Sequence, residues 1–440
     1  MNTFQTILVA VFLSFFVFAV LIFSGLINIG GLSKDSALPQ GKIIVWGTFP
    51  ATEIPRVFED ISATNKDLII TYIQKPESTY QQSLIEAFAN GTGPDLFFIT
   101  AGSIVKNENF LYKLPFANYP EKTFRDAFID GADVFIAPDG VLGFPVVVDP
   151  MMLYYNRDLL SNEGIAQPPQ YWNDLFSLNN RLTKKNADGS INQSMIALGL
   201  FDTIDQAKDI LATLFLQGGN PLMVRTESGY RSTFDGSTAL STTPLVAGDV
   251  IVDFFTEFSD PTNESYSWNR TLPRSRDMFA GGKLALYLGR ASDLFTIQSM
   301  NPNLSFDVTR MLQTRGLPTT RTYGEIYAIA INKKSANLST AFTVAGLMTT
   351  GEFAKNIASA LSLPPASRAL LADKPANSPY LFSFFESALT VRTWVDPDPI
   401  RSGPIFSELI SNVVSNAMQA SEALIKANGQ MDLLVGTQTR

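Results

Sequence analysis

From residue 42 onward, short apolar runs alternate with segments whose apolar positions recur at helical spacing. The runs Lys42–Trp46, Leu68–Ile73 and Pro94–Ile99 have the length and composition of strands. Between the last two, residues 77–93 place apolar side chains on one helical face, and the spacing of Ser78 and Gln81 predicts a capping box. Alternating strands and helices predict an α/β layer with ligands at the carboxyl ends of its strands.

The same alternation returns in the second half of the chain. Two segments, 168–182 and 209–217, have the apolar spacing of helices. Residues 278–289 have the pattern of a loop that leads into a strand, and residues 323–332 have the pattern of a strand. Between the two halves, one apolar run, 143–160, carries Asp149 and Pro150 in its middle. A carboxylate and a proline are unfavourable inside a buried strand, so the chain either turns at this point or passes from one core into another.

The N-terminal segment differs from the rest of the chain. Residues 7–29 are apolar apart from two serines and one asparagine and carry no charge. A membrane-spanning helix needs about 20 such residues. Because the preceding residues lack Lys and Arg and no convincing cleavage site follows, a retained anchor is favoured over a removed signal peptide. We predict a transmembrane helix over residues 1–30 and a linker over 31–41.

Composition excludes several classes of protein. The 440 residues are 45% apolar and 17% charged, which favours a folded protein with two or three compact units. A net charge of −8 without any basic run argues against a nucleic-acid partner. Cysteine and histidine are both absent, which excludes thiolate metal sites, cysteine nucleophiles and histidine-based triads. No cofactor and no metal site are predicted.

Five segments, in this order, resemble the bacterial extracellular solute-binding proteins of ABC importers, specifically the maltose-binding-like, carbohydrate-binding group. They are IIVWGTF at the first strand, YQQSLIEAFANGTGPDLFFI, the segment GFPVVVDPMMLYYNRDLLSNEGIAQPPQYWNDL, MFAGGKLALYLG, and YGEIYAIAINKKSANLSTAFTVAGLMTTGEF followed by LPPASRALL. Each segment alone is weak evidence, but their common order over residues 42–427 is specific.

The resemblance implies a two-lobed α/β fold of the periplasmic-binding-protein type II class with an interlobe cleft, and the transmembrane helix predicted from the N-terminal residues would precede it. Lobe 1 would comprise residues 42–148 and 326–372, and lobe 2 residues 149–325 and 373–436. Asp149 would lie at the first crossing and face the cleft, and the chain would return near 323–325. Such crossings act as hinges while the lobes close as rigid bodies.

Candidate ligand-binding residues follow from the resemblance and from strand ends. Asp149 matches a ligand-binding acid of the family, and Trp394 is similar to a late aromatic residue that closes over ligand. The other candidates are Trp46, Thr48, Phe49, Thr100, Ser103, Asn220, Arg290, Ser292 and Glu325. Structural roles remain open for several of them: a helix cap for Asp149, core packing for Trp46, a rim salt bridge for Arg290.

Two departures from the maltose-binding pattern leave the identity of the sugar open. The loop after the third strand reads ITAGS where the pattern has an aromatic residue and an acid, and LGRASDLF lacks the aromatic platform. Tyr154 and Tyr155 are similar to the paired tyrosines of ferric-binding relatives, although core packing is the simpler interpretation.

The resemblance implies a non-enzymatic, membrane-anchored receptor on the extracellular or periplasmic side. It would capture a carbohydrate of oligosaccharide size and deliver it to the permease subunits of an ABC transporter. Two alternatives remain open at this stage. One is an anchored carbohydrate-active enzyme using Asp149 and Glu325 as its carboxylate pair. The other is a surface binding protein that works without a transporter.

Overall fold

The computed structural model describes residues 41–52, 54–64, 67–227, 229–236, 246–375 and 378–438. The predicted transmembrane helix and all but the last residue of the predicted linker lie outside these ranges. Within them, no helix combines the length and the apolar character that crossing a membrane requires.

The described ranges contain helices and strands in alternation. The strands are β1 (Gly41–Gly47), β2 (Leu68–Gln74), β3 (Leu96–Ile99), β4 (Leu114–Pro115), β5 (Ile136–Ala137), β6 (Gly140–Val141), β7 (Phe144–Asn156), β8 (Lys184–Lys185), β9 (Ile191–Ile196), β10 (Met223–Thr226), β11 (Gly229–Ser232), β12 (Leu284–Arg290), β13 (Phe306–Arg310), β14 (Thr322–Ile331) and β15 (Val391–Arg392). The α-helices are α1 (Ile54–Thr64), α2 (Glu77–Ala89), α3 (Ile104–Asn107), α4 (Glu121–Ala127), α5 (Arg157–Asn162), α6 (Asp174–Leu182), α7 (Ala207–Gln217), α8 (Gly248–Thr256), α9 (Ser275–Ala280), α10 (Asp293–Met300), α11 (Leu338–Leu347), α12 (Gly351–Leu361), α13 (Arg368–Leu371), α14 (Pro379–Ala388), α15 (Pro399–Val414) and α16 (Ala420–Gln438).

Lobe 1 is built on the strand order β2-β1-β3-β14-β7. β1 is parallel to β2 and β3, and β14 runs antiparallel to β3 and β7. Every residue of β3 is buried, and α1, α11 and α12 pack against the other strands of this sheet. The predicted capping box is wrong: α2 begins at Glu77 after Pro76 without a side-chain cap, and Gln81 instead bonds Asn107 of α3.

Lobe 2 continues from the same long strand. The second half of β7 pairs with β12 and β13, and β12 pairs with β9 in parallel. Helices α9 and α14 pack on this sheet, and α15, α16 and α8 pack against one another. The largest fully buried side chain is that of Trp268, whose indole Nε1 donates to Thr203 Oγ1 at 2.9 Å. Each lobe therefore has its own sheet and helical cover.

The two lobes are joined by strands that run through both of them. Residues Phe144–Pro150 of β7 pair with β14, and Met151–Asn156 pair with β12 and β13. Asp149 lies directly opposite Glu325 in this register. The apolar run interrupted by Asp149 and Pro150 thus marks the point at which the chain leaves one sheet for the other.

The lobes are also in contact away from these strands. Lys106 Nζ of lobe 1 lies 2.7 Å from Asp398 Oδ1 of lobe 2, and both side chains are largely buried. A second interlobe ion pair joins Glu108 Oε1 to Arg225 Nη2 at 2.8 Å. These ion pairs bridge the two lobes, so any separation of the lobes would have to break them.

Candidate functional site

A cleft of about 310 Å³ lies between the lobes, at the carboxyl ends of β1 and β3. This volume falls at the lower end of the range typical for small-molecule sites, about 300–1,000 Å³. Lobe 1 contributes polar and aromatic side chains, which include Thr48, Tyr80, Gln81, Thr100, Ser103 and Lys106. Lobe 2 contributes mainly charged ones, which include Lys208, Asp209, Arg290, Trp394 and Asp396. The crossing strand β14 contributes Tyr323, Glu325 and Tyr327.

The lobe 1 wall is held by hydrogen bonds at the strand ends. The amide of Thr100 donates to Ser103 Oγ at 3.0 Å, and this hydroxyl lies 2.9 Å from the Thr100 carbonyl oxygen. The hydroxyl of Tyr80 lies 2.8 Å from the Phe98 carbonyl oxygen. These bonds fix the orientation of the loop after β3, so its remaining polar groups face the cleft in a defined geometry.

Arg290 forms the centre of the cleft floor. Its Nε donates to Asp209 Oδ2 at 2.7 Å, and its Nη2 lies 3.6 Å from Glu325 Oε2. Burial alone would lower the pKa of Arg290, but the two carboxylates outweigh it and raise that pKa well above its usual value. The guanidinium is therefore permanently charged, and its charge is already matched by acids of the protein.

Glu325 lies in the cleft beside Arg290 and Thr100. Burial raises the pKa of Glu325, an effect that Arg290 and a hydrogen bond with the Thr100 side chain oppose and Asp209 reinforces. Its Oε1 is buried without a hydrogen-bond partner in the described part of the chain. A buried acceptor without a partner costs free energy, so this oxygen favours a ligand that brings a donor.

Asp149 has a different environment. Its side chain is only 2% exposed, and its carboxylate accepts the amide N–H of Ser292 at 2.9 Å and the hydroxyl of Ser292 at 2.6 Å. Burial raises the pKa of Asp149 to about 6, although Arg290 and Ser292 lower it. Asp149 thus holds the start of α10 to the crossing strand. Its predicted contact with ligand stays a prediction.

The structure brings together only some of the predicted site residues. Those that line the cleft are Thr48, Thr100, Ser103, Arg290, Glu325 and Trp394. The others lie elsewhere. Trp46 is buried under Lys75, whose Nζ lies 3.9 Å from the indole centroid, and Phe49 packs on Phe98. The hydroxyl of Ser292 is already engaged, because it donates a hydrogen bond to Asp149 Oδ2.

Trp394 lines the cleft only in part, and Asn220 lies outside the cleft. Trp394 is 4% exposed, and its ring packs against Phe234 and Phe406 in the core of lobe 2. Asn220 lines a different cavity, where its Nδ2 donates to the Val246 carbonyl at 2.9 Å. Trp394 contributes to the walls of both spaces.

Sequence reasoning missed several residues of the cleft. Tyr323 and Tyr327 alternate with Glu325 along β14, and all three line the cleft because side chains two apart share a strand face. This period-two pattern was visible in the sequence. By contrast, no local signal marks Asp209, at the start of α7, as the partner of Arg290.

Two α/β lobes joined by crossing strands and enclosing a polar, aromatic cleft define the class of two-lobed solute-binding proteins. The chain belongs to the bacterial extracellular solute-binding protein family, whose sequence profile matches residues 50–354. The family and the fold are those of substrate-binding proteins rather than enzymes, so the enzyme alternative is set aside.

Solved structures of low sequence identity share the fold. A cyclic α-maltosyl-1,6-maltose-binding protein from Arthrobacter globiformis superposes with a TM-score of 0.72 at 14% identity, covering 90% of this chain and 100% of that one. A cyclo/maltodextrin-binding protein complexed with maltotetraose gives a TM-score of 0.71 at 15% identity, covering 91% and 98%. The predicted two-lobed α/β fold is confirmed.

Relatives of known sequence match over shorter segments. The galactooligosaccharide-binding protein of Bacillus subtilis is 24% identical over 184 residues, which is 41% of this chain and 40% of the relative. A binding protein of Brucella abortus is 28% identical over 127 residues, covering 28% of this chain and 29% of the relative. The chain thus aligns with less than half the length of these relatives.

Proposed function

We propose that the protein captures a carbohydrate of oligosaccharide size in the cleft and delivers it to the permease of an ABC importer. The observation that carries this proposal is the composition of the cleft wall. Hydroxyl and amide groups from lobe 1 line the cleft together with Tyr323, Tyr327 and Glu325, whose buried Oε1 has no hydrogen-bond partner in the described ranges. Sugars present hydroxyls and apolar C–H faces, which such polar groups and aromatic rings bind.

Family membership and the named ligands of structural neighbours support the same substrate class. Maltotetraose and cycloalternan are the ligands in two solved structures that share this fold. The binding mechanism follows from the lobes: a ligand that touches both walls favours the closed arrangement by the difference in its affinity for the closed and open forms.

Glu325→Gln tests the site with little change of shape. The variant keeps the size of the side chain but removes the charge that strengthens a hydrogen bond from a sugar hydroxyl. Because hydrogen bonds to charged groups contribute about 1.5–3 kcal/mol, we expect at least about a tenfold loss of sugar affinity. Thermal-shift screening of the full chain against mono-, oligo- and acidic saccharides identifies the ligand, and calorimetry measures the loss.

Lys355→Gln is the matched control, since Lys355 is an exposed residue of α12 that pairs with Asp373 far from the cleft residues. It should bind the same sugar as tightly as the natural chain. Unchanged affinity in Glu325→Gln, or a screen in which no saccharide stabilises the protein, would refute the assignment of the cleft.

Delivery and anchoring are tested separately. If residues 1–30 anchor the protein, the full chain stays with membranes after a high-salt wash, whereas a chain beginning at residue 41 is released. If the protein serves an importer, cells that lack it lose uptake of the sugar identified by the screen. Unimpaired uptake would favour a binding protein that works without a transporter.

A further inference from the structure

A second cavity, of about 380 Å³, lies between the lobes and shares Trp394 with the cleft. Lobe 1 contributes Asp133, Val134 and Ile136 from the segment before β6, and the rest of the wall belongs to lobe 2, including Arg321 directly before β14. This second cavity contains three arginines and two aromatic residues: Arg225, Arg321, Arg392, Tyr230 and Trp394.

Arg321 is the least compensated cation of the second cavity. Its Nη1 donates to a neutral acceptor, the Leu216 carbonyl, at 3.2 Å, and its Nε is buried without a partner among the described residues. Burial lowers the pKa of Arg321, the neighbouring Arg392 lowers it further, and no described carboxylate offsets either effect. A guanidinium in such surroundings favours the approach of a negative charge.

Other polar atoms around the second cavity also lack partners. Buried atoms without a hydrogen-bond partner in the described ranges include Asn220 Oδ1, Arg225 Nη1, Tyr230 Oη and Thr393 Oγ1. Native proteins leave few buried polar atoms unpaired, so several of them around one cavity favour a polar ligand there. Two of these atoms, Tyr230 Oη and Thr393 Oγ1, belong to hydroxyls, which can donate to an anion.

The acids near the second cavity are engaged with other groups. Asp133 pairs with Arg125, and Asp130 pairs with Arg368 and with Arg392, whose Nη2 lies 2.6 Å from Asp130 Oδ2. Arg225 uses only Nη2 for its ion pair with Glu108, at 2.8 Å, and its guanidinium carbon lies 5.0 Å from the Tyr230 ring centroid. Arg225 Nη1 and Arg321 Nε therefore have no acidic partner among the described residues.

The cations of the cleft, unlike Arg321 of the second cavity, are matched by acidic side chains. The three principal cations of the cleft each have an acidic partner: Arg290 pairs with Asp209, Lys208 with Asp396, and Lys106 with Asp398. Unmatched positive charge is thus concentrated in the second cavity and not in the cleft.

We propose that the second cavity is a binding site for a small oxyanion, a phosphate, sulfate or carboxylate group, held by Arg321 and Arg225 beside Tyr230 and Trp394. Arginine suits this task because its planar fork of N–H donors matches the oxygens of such groups. The volume of about 380 Å³ exceeds that of a bare anion, so the group belongs to a small molecule or is accompanied by water.

Calorimetric titration of the full chain at constant ionic strength tests the proposal, with sodium phosphate, sodium sulfate and sodium citrate as probes. We expect saturable binding of at least one probe to one site, and at least about a tenfold weaker affinity in Arg321→Gln. Binding of phosphate and sulfate without citrate identifies a tetrahedral oxyanion, whereas binding of citrate alone identifies a carboxylate ligand.

Two control variants locate the bound probe. Arg56→Gln removes one exposed positive charge from α1 and should leave the affinity unchanged. Glu325→Gln removes a negative charge from the cleft and should also leave it unchanged, because the probe lies elsewhere. The proposal is overturned if no probe binds saturably to the natural chain, if Arg321→Gln binds as tightly, or if Glu325→Gln alters the affinity tenfold.

Discussion

Replacing Asp149 by asparagine should stabilise the protein at neutral pH and have little effect near about pH 4. The side chain keeps its shape, its Oδ1 still accepts the Ser292 amide, and its new amide donates to the Ser292 hydroxyl. What disappears is a carboxylate whose pKa is raised by burial from 3.8 to about 6.

The sign follows from proton binding. Between pH 3.8 and about 6 the folded protein retains a proton on Asp149 that the unfolded chain has released. Raising the pH through this window therefore lowers the free energy of unfolding. Above about pH 6 the folded protein bears the full free-energy penalty of burying the ionised carboxylate. At about 1.4 kcal/mol for each unit of pKa difference, the penalty is on the order of 3 kcal/mol. The uncharged amide of the Asp149→Asn variant would not incur this penalty.

Urea unfolding of the natural chain and of Asp149→Asn, from about pH 4 to about pH 7.5, measures the difference between the two proteins. Asp158→Asn, which alters an exposed aspartate of α5, controls for the loss of one negative charge. A difference that grows with pH and then levels off supports the reasoning. A variant that is less stable throughout, by an amount independent of pH, would show that the ionised carboxylate is favourable and that the argument from burial is wrong.

Three further changes probe closure and stability. Gly102→Ala places a Cβ 2.6 Å from Pro399 Cγ of the other lobe. Such overpacking costs about 1–3 kcal/mol and should shift the protein toward an open form. X-ray scattering would detect this form as a larger radius of gyration. Gly346→Ala, in α11 with no atom within 4 Å of the new Cβ, is its control and should raise the free energy of unfolding by about 0.5–1 kcal/mol while leaving the radius unchanged. Lys106→Met removes the interlobe ion pair with Asp398 and should weaken closure by about 1–3 kcal/mol; identical scattering profiles with and without the substitution would contradict this.

Local patterns in the sequence were sufficient for individual elements, and the resemblance of five segments to a known family supplied the two-lobed architecture. The strand at residues 94–99 was predicted from its unbroken apolar composition, and a turn or a crossing from a carboxylate and a proline inside an apolar run. Both signals come from a few adjacent residues and from rules on buried backbone and buried charge. The same is true of Thr48, Thr100 and Ser103, which line the cleft because they follow strands.

The orientation of individual side chains depended on distant partners and could not be predicted. Asp149 is held by Ser292, which is 143 positions away, and nothing near Asp149 indicates this bond. Trp394 packs between Phe234 and Phe406, so an aromatic residue expected over a ligand lies mainly in a core. The second cavity was not predicted either, because its arginines come from three separate parts of the chain.

The position of β14 also determines when the lobe 1 sheet can be completed during synthesis on the ribosome. β14 lies between β3 and β7 in the lobe 1 sheet, yet β7 ends at Asn156 and β14 begins only at Thr322. At translation rates of about 5–20 residues per second, the nascent chain waits on the order of ten seconds for this central strand. Until then β3 and β7 each present an unpaired edge, which can pair with other chains. The N-terminal lobe cannot mature co-translationally by itself, and a holding chaperone would be most useful in that interval.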